Sequence, residues 1–111
     1  MKKFRCTVCG YIHEGNDLPD KCPRCGASKE KFEQIPEDKV KLIDRSRFTN
    51  GLHKKLFTIL GEVEKIATSG MEDNLDPACV AIFTQAKQEA VLIRAFIRAE
   101  LEVHMSKGKW G

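Results

Sequence analysis

Two short motifs near the start of the chain, Cys6-Thr7-Val8-Cys9-Gly10 and Cys22-Pro23-Arg24-Cys25-Gly26, constrain its fold more than any other feature. A Cys-x-x-Cys pair puts two thiolates on one tight turn, and a second pair about a dozen residues later supplies the opposite edge of a tetrahedron. The glycine after each pair has a conformational reason. The chain must reverse there, which favours positive φ, and the backbone N–H groups of the turn can then point at the sulfurs. Such N–H···S bonds offset thiolate charge, tuning the potential of a bound iron or stabilising a bound zinc. Cys6, Cys9, Cys22 and Cys25 are therefore the candidate metal ligands, and the ion is open, because four thiolates accept iron and zinc alike.

Size points to a metal as well. Residues 1–35 hold few large apolar side chains, mainly Phe4, Val8, Tyr11, Ile12, Leu18, Phe32 and Ile35. A unit this short seldom folds on apolar burial alone. Metal binding is expected to supply much of its folding free energy, on the order of 10 kcal/mol by comparison with zinc-finger peptides. Disulfides would staple the same segment, but the chain opens Met-Lys-Lys-Phe-Arg-Cys with no apolar run for a secretory signal or membrane span. A reducing cytoplasm is the expected compartment.

The run Phe4-Arg5-Cys6-Thr7-Val8-Cys9-Gly10-Tyr11-Ile12-His13-Glu14-Gly15, followed by Leu18-Pro19-Asp20-Lys21-Cys22-Pro23-Arg24-Cys25-Gly26 and by Phe32-Glu33, resembles the short rubredoxin-like domain of rubrerythrins. The likeness rests on the compact gap between knuckles, the aromatic-x-Cys start, the Gly-Tyr-x-His-x-Gly run, the proline before Cys22 and the late Phe-Glu. Most ordinary rubredoxins carry a much longer insertion between the pairs. The resemblance covers about the first third of the chain. It implies one iron per chain held by Cys6, Cys9, Cys22 and Cys25, passing single electrons between ferrous and ferric states, with redox proteins as partners.

The rest of the chain reads as soluble, globular and helical. Charge is balanced along it: residues 1–35 carry seven Lys/Arg against five Asp/Glu, and residues 52–111 carry eight of each. No basic face is concentrated enough for nucleic acid. Residues 36–51 form a charged connector, with Val40, Leu42, Ile43 and Phe48 as apolar anchors. From Leu52 the apolar residues fall at three-and-four spacing through Leu56, Ile59, Leu60, Val63, Ile66 and Ala67, predicting an amphipathic helix that ends near Ser69-Gly70. Asp76-Pro77 reads as an N-cap and first helical position, opening a second helix that runs to about Lys107. At 1.5 Å per residue the second helix spans roughly 45 Å and the first roughly 27 Å, so the second is expected to overhang.

The second helix carries two apolar stripes. One runs through Cys79, Ile82, Phe83, Ala86, Ala90, Ile93, Ile97 and Leu101, and the other through Val80, Val91, Leu92, Ala95, Phe96, Ala99 and Val103. A face that wide exceeds what one partner helix covers. The expected architecture is thus a metal knuckle domain of short strands and loop over residues 1–35, the connector 36–51, and a helical hairpin over residues 52–111 that forms a four-helix bundle as a homodimer.

Three functions compete. The leading one is an electron carrier with no catalytic residues of its own. The second is a zinc-ribbon adaptor whose helices dock a partner protein. The third is an atypical di-iron oxidoreductase, for which the sequence is poorly equipped. Di-iron bundles use Glu-x-x-His on inward faces, whereas Leu101 stands three before His104 and Asn50 three before His53. Only Glu62, Glu89 and the pair Glu100 and His104 remain to build such a site. Cys79 is expected to be a small core residue, His13 to pack or hydrogen-bond beside the knuckle, and Tyr11 and Phe32 to shield the thiolates.

Overall fold

The computed structural model describes residues 1–111, which divide into two compact units, residues 1–46 with Gly111, and residues 47–110.

The first unit is built on a three-stranded antiparallel sheet, β1 (Lys3–Cys6), β2 (Ile12–Glu14) and β3 (Phe32–Gln34), in the order β2-β1-β3. β1 pairs Phe4 with His13 on one side and with Gln34 on the other. The sheet is too small to enclose a large core. Cys6, Cys22 and Phe32 form one buried cluster, flanked by Phe4, Tyr11 and Leu18. Ile35, Val40 and Ile43 form a second with Ile12. Lys3 is buried at the start of the central strand, where its Nζ lies 2.6 Å from Glu14 and 3.2 Å from Asp44. A buried ammonium requires such partners.

Two helices follow, α1 (Glu37–Asp73, 37 residues) and α2 (Pro77–Ser106, 30 residues), forming a hairpin. The connector expected over 36–51 is helical from Glu37 onward. Its charged residues are mostly good helix formers, Pro36 carbonyl accepts from Val40 N–H at 2.9 Å, and Glu37 and Asp38 place negative charge in the first turn. The expected order of lengths is therefore reversed, and α1 is the longer helix.

Gly70 does not end α1. The helix continues to Asp73 and closes at Asn74, whose φ of +50° is the left-handed cap conformation. Gly70 instead makes room: a Cβ there would lie 2.3 Å from the Phe83 ring of α2. α2 starts as the sequence predicts, with Asp76 Oδ1 accepting from Cys79 N–H at 2.8 Å ahead of Pro77.

The seam of the hairpin is unlike the one that the apolar period of α1 predicts. Ala67 from α1 and Ala90 and Ile97 from α2 are buried, but Leu52, Leu56, Ile59 and Ile66 are exposed. Polar pairs occupy the seam instead. Arg94 pairs with Glu64 and stacks 4.1 Å over the Phe57 ring, while Arg98 lies 4.9 Å from the same ring. Asn50 donates from Nδ2 to the Lys109 carbonyl at 2.7 Å, which turns its Oδ1 toward His104, so His104 Nδ1–H donates to it at 2.5 Å. Periodicity identifies an apolar face and leaves open what covers it, which is why the sequence does not reveal this arrangement.

Gly70→Ala tests the close approach. The added methyl is expected to destabilise the hairpin by about 1 to 3 kcal/mol through overpacking against Phe83, despite alanine's higher helix propensity. A lowered thermal midpoint with unchanged helical circular dichroism at low temperature is the expected readout.

Candidate metal centre

Each cysteine pair lies on its own backbone knuckle, and the two knuckles repeat one another. Cys6 N–H donates to the Tyr11 carbonyl at 2.8 Å, and Cys22 N–H to the Ala27 carbonyl at 2.8 Å. Gly10 N–H donates to the Cys6 carbonyl at 2.9 Å, and Gly26 N–H to the Cys22 carbonyl at 2.8 Å. Gly10 and Gly26 adopt φ of +81° and +75°, a region that side-chain-bearing residues rarely enter. β1 delivers the first knuckle directly. Thr7 ties it to the end of the 3-10 turn Lys29–Lys31, with both its N–H and its Oγ1 donating to the Lys31 carbonyl, at 2.9 and 2.7 Å. A bridge between Lys21 and Ser28 closes the second knuckle.

These constraints bring all four sulfurs within 4.8 Å of one another. Cys6 Sγ lies 3.7 Å from Cys25 Sγ, and Cys9 Sγ lies 3.6 Å from Cys22 Sγ. A tetrahedron with metal–sulfur bonds of about 2.3 Å has edges of about 3.8 Å, so the spacing fits one thiolate-bound ion. It is far from the roughly 2.05 Å of a disulfide, and all five cysteines are free. Cys6 and Cys22 are buried, Cys9 is half-buried and Cys25 is exposed, so the centre opens to solvent on one side.

The sulfurs differ in acidity. Cys9 is held down to about 6, chiefly because the Tyr11 N–H donates to its sulfur; desolvation opposes this, and the Arg24 side chain and the Cys22 and Cys25 thiols assist it. At Cys25 the Ala27 N–H pulls downward, but desolvation and the neighbouring sulfurs of Cys9, Cys22 and Cys6 outweigh it and push the thiol up to about 12. One thiolate among close-packed thiols discourages the next. A cation removes that penalty by displacing the remaining protons, so metal affinity falls as pH falls.

Other residues singled out in the sequence lie elsewhere. His13 Nε2 lies 2.8 Å from the Asp17 carbonyl, where an N–H donor belongs, and holds the turn after β2. Tyr11 and Phe32 meet edge to face beside the buried cysteines, with ring centroids 6.5 Å apart. Glu62 pairs with Lys65 on the surface, Glu89 is exposed, and Glu100 lies 3.2 Å from His104 within α2. These carboxylates do not converge with His53 into a second ligand group. Cys79 lies at the start of α2, half-buried, with its thiol raised first by Asp76, then by desolvation and Asp73. Sequence reasoning missed Arg24, whose guanidinium donates to the Cys9 carbonyl across the knuckles at 3.4 Å. Its place between Cys22 and Cys25 was the available signal.

Replacing Cys9 or Cys22 by alanine is expected to abolish metal binding and loosen residues 1–35 while helical circular dichroism persists, since most of the hairpin lies in the other unit. Cys79→Ala is expected to keep the metal, with a stability loss of about 1 kcal/mol, as for truncating a small half-buried side chain. Metal analysis beside circular dichroism distinguishes the two classes.

The sequence profile described as "Rubrerythrin, rubredoxin-like domain" matches residues 4–33. Reverse rubrerythrin-1 of Clostridium acetobutylicum is 58% identical over 38 residues, covering 34% of this chain and 21% of that protein. Rubrerythrin of Nitratidesulfovibrio vulgaris is 52% identical over 33 residues, covering 30% of this chain and 17% of that protein. The chain thus spans about a fifth or less of these two relatives. Rubredoxin of Peptoniphilus asaccharolyticus is 45% identical over 49 aligned positions, covering 92% of that protein but only 30% of this chain. Since 30% of 111 residues is about 33, the rubredoxin carries residues that this chain lacks. No solved structure matches the chain significantly. The match across nearly all of a rubredoxin, together with four converging sulfurs, places the chain in the rubredoxin family through a rubredoxin-like domain of the rubrerythrin kind in its first third.

Proposed function

We propose that the protein is a cytoplasmic electron carrier in which Cys6, Cys9, Cys22 and Cys25 hold a single iron ion. The convergence of four sulfurs at tetrahedral spacing carries this reading, and the rubredoxin relatives favour iron over zinc. When bound, iron supplies one-electron chemistry between its ferric and ferrous states. The chain's own residues set the conditions. Tyr11 and Ala27 N–H groups hydrogen-bond the Cys9 and Cys25 sulfurs and offset charge on them. The buried Cys6 and Cys22, with Phe32 and the flanking Tyr11, keep water from the inner side. Exposed Cys25 and Val8 leave the outer side open to a redox protein. A role in oxidative-stress defence, with a reductase upstream and an oxidant-consuming enzyme downstream, follows from the likeness to rubrerythrins.

The helices are proposed to make the protein a homodimer, with residues 52–111 as the dimerisation module. Ile59 and Phe96 are 60% and 59% exposed, and Leu52, Leu56, Ile66, Ile82 and Leu92 are also open to solvent. Each helix thus keeps an apolar stripe outside the seam, and exposed apolar surface of this extent marks association. Two hairpins packed by these stripes form a four-helix bundle. No helix is long and apolar enough to cross a membrane.

Protein purified anaerobically from native cells is expected to contain about one iron per chain and to show thiolate-to-iron charge-transfer bands that bleach on reduction. Stoichiometric zinc in a colourless protein would instead establish the zinc-ribbon adaptor. More than two irons per chain pair, with the excess lost in Glu62→Gln or His104→Ala, would establish a di-iron centre.

Sedimentation tests the assembly. Wild type is expected to run as a dimer at micromolar concentration, and Ile59→Glu or Phe96→Glu as a folded monomer, because each charge replaces a side chain that is exposed in the single chain. A monomeric wild type would refute the bundle.

A further inference from the structure

The two knuckles share a backbone and differ in one side chain of consequence. The residue before the second cysteine of the first pair is Val8, 61% exposed. At the equivalent place in the second pair stands Arg24, which reaches over to the first knuckle and donates to the Cys9 carbonyl at 3.4 Å. Val8 is uncharged and offers no matching contact from the first knuckle.

We propose that Arg24 is a potential-setting residue, a permanent cation reaching from one knuckle to the other that raises the reduction potential of the bound iron. The inference rests on the iron reading above. Four thiolates around ferric iron carry one net negative charge, and around ferrous iron two. Reduction adds one electron to the metal, supplied by a reduced partner protein, and breaks no bond. A guanidinium stays protonated throughout the working pH range, so it favours the more negative state at all times. Since Arg24 is exposed, its effect is open to screening by salt, whereas the N–H groups of Tyr11 and Ala27 act at closer range on their own sulfurs. Reaching from one knuckle to the other, the side chain places its charge beside the backbone of the pair that does not contain it.

The experiment is a spectroelectrochemical titration of the full-length protein loaded with iron in vitro, using dithionite as reductant, at low and high ionic strength. Arg24→Gln is expected to shift the midpoint to a more negative potential with iron content and absorption spectrum unchanged. Arg24→Lys is expected to restore most of the difference, and added salt to narrow it. Equal midpoints for wild type and Arg24→Gln, or a difference indifferent to salt, overturn the assignment. Should Arg24→Gln fail to retain iron, Val8→Arg decides: a second cation at the equivalent exposed position raises the potential above wild type if the mechanism holds, and an unchanged potential overturns it. Zinc in protein from native cells would refute the carrier reading without altering these potentials, whereas equal midpoints refute the Arg24 assignment and leave the iron reading standing.

Discussion

The first unit depends on a conflict between geometry and charge. Two glycine-terminated turns force four cysteine sulfurs within 4.8 Å of one another, a separation at which their thiolates repel. The low pKa of Cys9 beside the high one of Cys25 expresses that conflict. A divalent or trivalent cation reverses its sign, turning mutual repulsion into shared attraction. The small sheet and two small buried clusters would then be sufficient, because a bound metal would supply the cross-link that a larger core would otherwise have to provide.

The metal centre was legible in the sequence because its determinants are local. Cys-x-x-Cys-Gly fixes ligand, turn and N–H direction within five residues, and the structure repeats that unit at residues 6–10 and 22–26. Arg24 was overlooked because the middle positions of such a pair are usually free to vary. The hairpin was legible as two helices with a capped turn at Asp76, again a local signal. Its seam was not, since side-chain pairs such as Asn50 with His104, 54 residues apart, leave no periodic trace. Gly70 misled for a similar reason. A glycine near the end of an apolar stripe reads as a stop, but here it answers to a ring on the other helix.

Lys3 shows how the sequence conceals a structural charge. Nothing distinguishes it from Lys2, yet strand alternation turns it inward, where Glu14 from β2 and Asp44 from α1 receive its ammonium. The first turns of α1 are thereby tied to the sheet by charge as well as by the contact of Val40 and Ile43 with Ile35. This explains why a segment rich in charge and poor in large apolar residues folds with the metal knuckles instead of serving as a loose tether.

The second unit mixes polar and apolar contacts in its seam. An Arg94–Glu64 pair, an Asn50–His104 hydrogen bond and two guanidinium groups over Phe57 lie there beside buried Ala67, Ala90 and Ile97, while Leu52, Leu56, Ile59, Ile66, Ile82 and Leu92 are exposed. Polar contacts of this kind fix register well but contribute modest net stability, because each exchanges a bond to water for a bond within the protein. Apolar burial contributes more per residue, and on this hairpin a good part of that capacity lies on the outer faces. The polar contacts thus help select how α1 and α2 align, and in the proposed bundle the stripes through Ile59 and Phe96 would supply the driving force. With that division the hairpin would enter association with its register already set, so that the free energy of assembly would not also have to order the helices.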